Sequence, residues 1–237
     1  MKAQPLTLEN RFLRLVFEQE GSLINGFTLD IQKDGQWQRL GGRSPLSQAI
    51  YRDPQGGRRV LPLPARPVEV EPGHLRLVGT QADPEGVEWT FTACFSLAEN
   101  ASQVKVDYRL ETSQERAVLQ WMGPGLAAGE GAFGAAKDEA IFPGLEYLLD
   151  DEPSSDTRFA AEKYARRSVP HPYKITVPLM AVSHDGMAAG LMWEPNQDWH
   201  NAWRHPAALF SSPDNLTPGV ERHQMAIFAP SVEPRWL

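Results

Sequence analysis

Strict period-2 alternation, frequent turn chemistry and the scarcity of helical periodicity predict an all-β protein, a predominantly antiparallel β-sandwich with few or no helices. The clearest alternation places Val87, Trp89, Phe91, Ala93, Phe95 and Leu97 on one face and Glu88, Thr90, Thr92, Cys94 and Ser96 on the other, as a half-buried strand requires. The 20 prolines and 19 glycines, dense in Arg52 to Pro67 and Gly123 to Gly134, predict short strands joined by long connections.

The elements follow in chain order. Leu13, Leu15 and Phe17 alternate with Arg14, Val16 and Glu18 before Gly21, and SLINGFTL resumes beyond it, which reads as a hairpin. Leu75 to Val78 is a shorter strand. The long strand at Val87 to Leu97 is followed by the polar turn Ala98 to Ser102. Val104, Val106, Tyr108 and Leu110 then alternate with Lys105, Asp107, Arg109 and Glu111, completing an antiparallel hairpin. Ser155 to Arg167 is the one stretch that invites a helix, with Ser155 as N-cap, although an ordered loop fits equally. Lys174 to Val182 leads through Ser183-His184-Asp185-Gly186 into Met187 to Trp193, and Asp-Gly between apolar runs signals a hairpin. Gln224 to Ala229 is the last strand.

The expected organisation is a single sandwich domain over 1–237, since β domains of this length occur as one unit. The apolar ending APSVEPRWL suits a chain that continues in a longer multidomain protein. A net charge of −7, from 30 acidic and 23 basic residues without a basic tract, argues against a nucleic-acid partner. No apolar run approaches the roughly 20 residues that cross a bilayer, and the N-terminus lacks the apolar core of a signal peptide, so no membrane partner is expected. The lone Cys94 excludes an intrachain disulfide and a multi-cysteine metal centre. There is no nucleophile elbow, phosphate loop or dinucleotide fingerprint. No cofactor and no metal site is expected.

Three segments concentrate recognition chemistry. Gly190 to Pro206, GLMWEPNQDWHNAWRHP, carries Trp193, Trp199 and Trp203 beside Glu194, Asp198, His200, Asn201 and His205. Flat apolar rings among hydrogen-bonding groups suit a sugar ring, and equally suit a capped core. Phe142 to Asp156 gathers Glu146, Asp150, Asp151, Glu152 and Asp156 beside Tyr147. Ser168 to Thr176 presents His171, Tyr173 and Lys174 between prolines, where a histidine can serve as a general acid.

The N-terminal LTLENRFLRLVFEQEGSLINGFTL resembles the opening of galactose-mutarotase-like super-sandwich domains, which begin with L-x-N-x-x-L-x-V-x-F, a glycine and a second strand. Such domains occur as aldose epimerases and as modules of glycoside hydrolases and polysaccharide lyases. The resemblance implies a super-sandwich that binds carbohydrate or supports a catalytic domain. The ligand-side residues are then Trp193, Trp199, Trp203, His200, His205, Glu146, Tyr173 and Lys174. Its epimerase branch would use His171 as acid, in a similar His-Pro-Tyr context, with Glu194 or Glu221 as base. His171 and Glu194 lie close in sequence, which favours the non-catalytic module. A structural or assembly domain contacting a missing catalytic domain or a second copy of the chain is the third expectation.

Overall fold

The structure is a computed structural model that describes residues 5–142, 146–150, 152, 167–168, 177–194, 207–212, 221–229 and 235–236. Among the described residues there is no helix, and every strand pairing is antiparallel, as an all-β sandwich requires. None of the described residues forms a helix long and apolar enough to cross a membrane. The chain divides into two compact units, one formed by Met1–Gln38, Ser44–Pro124 and Pro234–Leu237, the other by Arg39–Arg43 and Gly125–Glu233.

In the first unit, β1 (Leu6–Glu9), β2 (Leu13–Glu20), β3 (Leu23–Lys33) and the start of β4 (Gln36–Pro45) follow one another across a sheet. β5 (Gln48–Arg52) pairs with β6 (Arg58–Pro62) and with the first half of β11 (Ala117–Ala128). A four-stranded sheet of order β10-β9-β8-β7 comprises β7 (Arg66–Glu71), β8 (His74–Ala82), β9 (Glu88–Ser96) and β10 (Lys105–Thr112). The alternation predicted for β9 holds, because Trp89, Phe91, Ala93 and Phe95 are fully buried. Phe95 meets Phe17 of β2 edge-on at 5.1 Å and Phe27 of β3 at 5.8 Å, so the two sheets pack face to face.

Two details depart from the sequence reading. The N-terminal pattern is not one strand, because it breaks at Asn10, whose Oδ1 accepts from the Phe12 and Leu13 amides at 2.8 and 2.9 Å. Its Nδ2 donates to the carbonyls of Ala98 and Ala101 in the turn between β9 and β10. Gly123-Pro124, placed in a connection by its composition, lies inside the 12-residue β11 with a cis peptide bond. Strands of 11, 10 and 12 residues also overturn the expectation that all are short.

Two turns of the first unit share one construction. In Asp53-Pro-Gln-Gly and Asp83-Pro-Glu-Gly, the glycine amide returns to the aspartate carbonyl at 2.9 Å, while the carboxylate accepts backbone amides and an arginine. Asp53 takes the Gly57 amide and Arg59. Asp83 takes the Glu85 and Val87 amides, the Trp89 indole at 3.0 Å and Arg116 at 2.8 Å. Burial alone would raise the Asp83 carboxyl, but those hydrogen bonds outweigh it and hold the group below its ordinary value. Burial, with Asp83 and Glu85 nearby, pushes the Tyr51 hydroxyl up to about 12.

In the second unit, the middle of β4 (Arg39–Arg43) and the end of β11 join β18 (His223–Ala229), β17 (Ala207–Ser211) and β14 (Arg167–Ser168). A separate four-stranded sheet has the order β13-β12-β15-β16, formed by β12 (Glu139–Phe142), β13 (Glu146–Leu149), β15 (Leu179–His184) and β16 (Met187–Met192). Phe142 stacks on Phe210 at 5.9 Å, over a core that includes Met180, Val182, Met187, Ala208, Met225 and Ile227. The β15–β16 hairpin forms at Asp185-Gly186, both left-handed at φ 50° and 69°, as a two-residue Asp-Gly turn demands. The helix invited by 155–167 lies outside the described residues except at Arg167, which opens a strand. β19 (Arg235–Trp236), in the first unit, pairs with β11.

Candidate functional site

The register of the second unit's four-stranded sheet decides where the predicted segments attach. Phe142 at the end of β12 pairs with Glu146 at the start of β13. Ile141 pairs with Ala181, and Leu179 at the start of β15 pairs with Met192 at the end of β16. These four strand ends therefore lie at one end of the sheet. The first predicted segment begins there at Phe142 with Glu146 beside it, but β13 carries it back along the sheet, so that Asp150 lies at the opposite end, where its amide donates to the Asp138 carbonyl at 3.2 Å. The second segment precedes β15 at the first end and the third leaves β16 there.

Trp193 and Glu194 continue from β16. The Trp193 amide donates to the Pro178 carbonyl at 3.2 Å, which extends the hairpin by one pair. Alternation turns the Trp193 ring inward, where it is 91% buried, and its indole N–H is buried without a hydrogen-bond partner. Glu194 is exposed. His171, Tyr173, Lys174, Trp199, His200, Trp203 and His205 lie outside the described residues, as do Asp198 and Asn201. Glu221 is exposed just before β18.

Three pairs of the same unit escaped the sequence reading. On the sheet itself the Tyr147 hydroxyl donates to the Glu139 carboxylate, which raises the tyrosine pKa. At the opposite end His184 Nδ1 lies 3.0 Å from Asp138 Oδ1, and the Asp138 carboxylate also accepts the Asp185 amide at 3.0 Å. Asp138 thereby fixes the β15–β16 turn. Deeper, His223 Nδ1 is 2.8 Å from Ser212 Oγ and its Nε2 is 3.1 Å from the Ala136 carbonyl. The carbonyl can only accept, so Nε2 carries the proton and Nδ1 accepts from the serine. Burial pushes this imidazole down to about 4, and it is neutral at pH 7. A neutral imidazole beside a hydroxyl has the polarity of a nucleophile and base, but Ser212 and His223 are both fully buried and the pair ties β18 to the 129–138 loop. Phe133 packs between His184 and His223, at 5.9 and 6.0 Å.

The signals for these pairs are faint. Ser212 and His223 stand 11 residues apart at the ends of paired strands, a relation only the β17–β18 register reveals. Glu139 and Tyr147 are diagonal neighbours across a hairpin, which a correct pairing of FPGLEY would have shown. Comparison with protein-family models finds no match, and comparison with curated proteins finds none similar in sequence.

Proposed function

We propose that the chain is a carbohydrate-binding β-sandwich module of a carbohydrate-active protein, of the galactose-mutarotase-like super-sandwich kind. The observation that supports this reading is that the second and third segments adjoin the same end of a single four-stranded sheet, where Glu146 of the first also lies, since recognition groups gathered on a rigid scaffold are what a ligand site requires. In this reading Trp193 anchors the third segment through its buried ring, and Trp199 and Trp203 supply the ligand-facing aromatic surfaces. Those two rings, with His200, His205, Glu146, Tyr173 and Lys174, bind the sugar, and the chain contributes recognition to a catalytic partner domain.

The test is a titration of the full chain with a panel of oligosaccharides, followed by tryptophan fluorescence. A saturable change with at least one sugar, weakened ten-fold or more by the double substitution Trp199→Ala and Trp203→Ala, supports the reading. A flat response across the panel overturns it.

A further inference from the structure

The two four-stranded sheets differ in what their outward faces carry. Across β8, β9 and β10 that face shows Arg76, Lys105, Asp107, Arg109 and Glu111 around threonines, the ordinary surface of an antiparallel sheet in water. The outward face of β13-β12-β15-β16 is different. Its cross-strand rows are Tyr147, Ile141, Ala181 and Gly190, then Leu149, Glu139, Ser183 and Ala188, then Leu179 and Met192. Glu139, Ser183 and the Tyr147 hydroxyl are its polar groups. Tyr147, Leu149 and Met192 are 58, 44 and 71% exposed, so the apolar character faces solvent.

The relief of this face is as informative as its polarity. Ala181, Ala188 and Gly190 form a low floor, and a Cβ on Gly190 would come within 2.6 Å of the Met180 carbonyl, so glycine keeps the floor bare. Tyr147 rises at one edge and Met192 at the other. The hydrogen bond to Glu139 pins the Tyr147 hydroxyl, so its ring stays displayed without a large entropic cost on binding. The Glu139 carboxylate retains lone pairs for further donors.

Four strands and three rows cover about 20 Å by 15 Å, on the order of 300 Å². A stable protein interface needs about 800 Å² from each partner. The face is therefore too small for a second copy of the chain and suits a narrow ligand with apolar faces and hydroxyl edges. We propose that it is a platform for an oligosaccharide lying across the strands, with one sugar ring stacked on Tyr147 and hydroxyls donating to Glu139. This rests on the carbohydrate reading above and gives it a second, separately testable surface, adjoining the sheet end where the second and third segments attach.

The experiment is calorimetric titration of the full chain with cellohexaose, xylohexaose, maltohexaose and chitohexaose, repeated with Tyr147→Ala and with Ala188→Arg. The arginine fills the floor from an exposed position and leaves the core untouched, and thermal melts verify that both variants fold. A Kd raised at least ten-fold by each substitution, with Tyr147→Phe raising it about three-fold through loss of the Glu139 anchor, supports the platform. Unchanged binding in both variants overturns the platform and leaves the carbohydrate reading standing. Absence of binding by the parent chain to every hexaose overturns both. Sedimentation that finds a parent dimer split by Ala188→Arg overturns the platform in favour of self-association.

Discussion

Replacing Asp83 with alanine tests the claim that its carboxylate holds together the turn between β8 and β9. The side chain is fully buried, and Arg116 beside it is only 11% exposed. Its removal orphans two buried donors, the Val87 amide and the Trp89 indole N–H, and strands Arg116. Each orphaned neutral donor costs about 1 kcal/mol or more, and loss of a charged hydrogen bond about 1.5–3 kcal/mol. The expected loss is about 4 kcal/mol, within the range of about 3–5 kcal/mol for breaking a buried pair by deleting one partner. In a chain of this size that lowers Tm by roughly 10–15 °C. Urea unfolding followed by tryptophan fluorescence reads it directly, since Trp89 reports on its own surroundings. A loss below about 1 kcal/mol would refute the reasoning, because it would mean that water satisfies these donors as well as the carboxylate does.

The like turn at Asp53 provides a graded comparison: Arg59 is 54% exposed, so Asp53→Ala should destabilise the chain clearly less than Asp83→Ala by the same measurement. His223 gives a pH test. Its folded pKa of about 4 lies below the ordinary 6.5, so the unfolded chain binds the proton more readily. Its contribution is complete above pH 6.5 and falls away as pH drops towards 4, by about 3 kcal/mol. Urea midpoints at pH 7.5 and 4.5 should differ by more in the parent chain than in His223→Gln.

The legible parts of the fold are those where one face is buried and the other wet. β9 and β10 announce themselves because Trp89, Phe91 and Phe95 alternate with threonines and Cys94, and the β15–β16 turn because Asp-Gly has one dominant conformation. Asp34-Gly35, at φ 51° and 78°, makes the same turn between β3 and β4 but sits among polar residues that hide it. β11 is obscured for a different reason. Gly123 avoids a side chain because a Cβ there would press on the Tyr108 ring at 2.5 Å, so a glycine demanded by packing reads as a turn. At the site, composition singles out the three segments, while the shared attachment of the second and third follows from register, which no local pattern encodes. Tyr147 stands out in sequence by its acidic neighbours, yet its partner Glu139 comes from the preceding strand.

The Asn10 contacts bear on the order in which the chain becomes ordered during synthesis. The side chain that shapes the first turn finds its carbonyl acceptors 88 and 91 residues later. At about 5–20 residues per second, translation alone separates the two by roughly 5–20 s. For most of that interval, until β7, β8 and β9 are made, the apolar face of β1, β2 and β3 has no opposing sheet. Sequence separation of this kind slows folding, so the period of greatest exposure to aggregation falls on the nascent N-terminal hairpin, before the mature core exists to protect it.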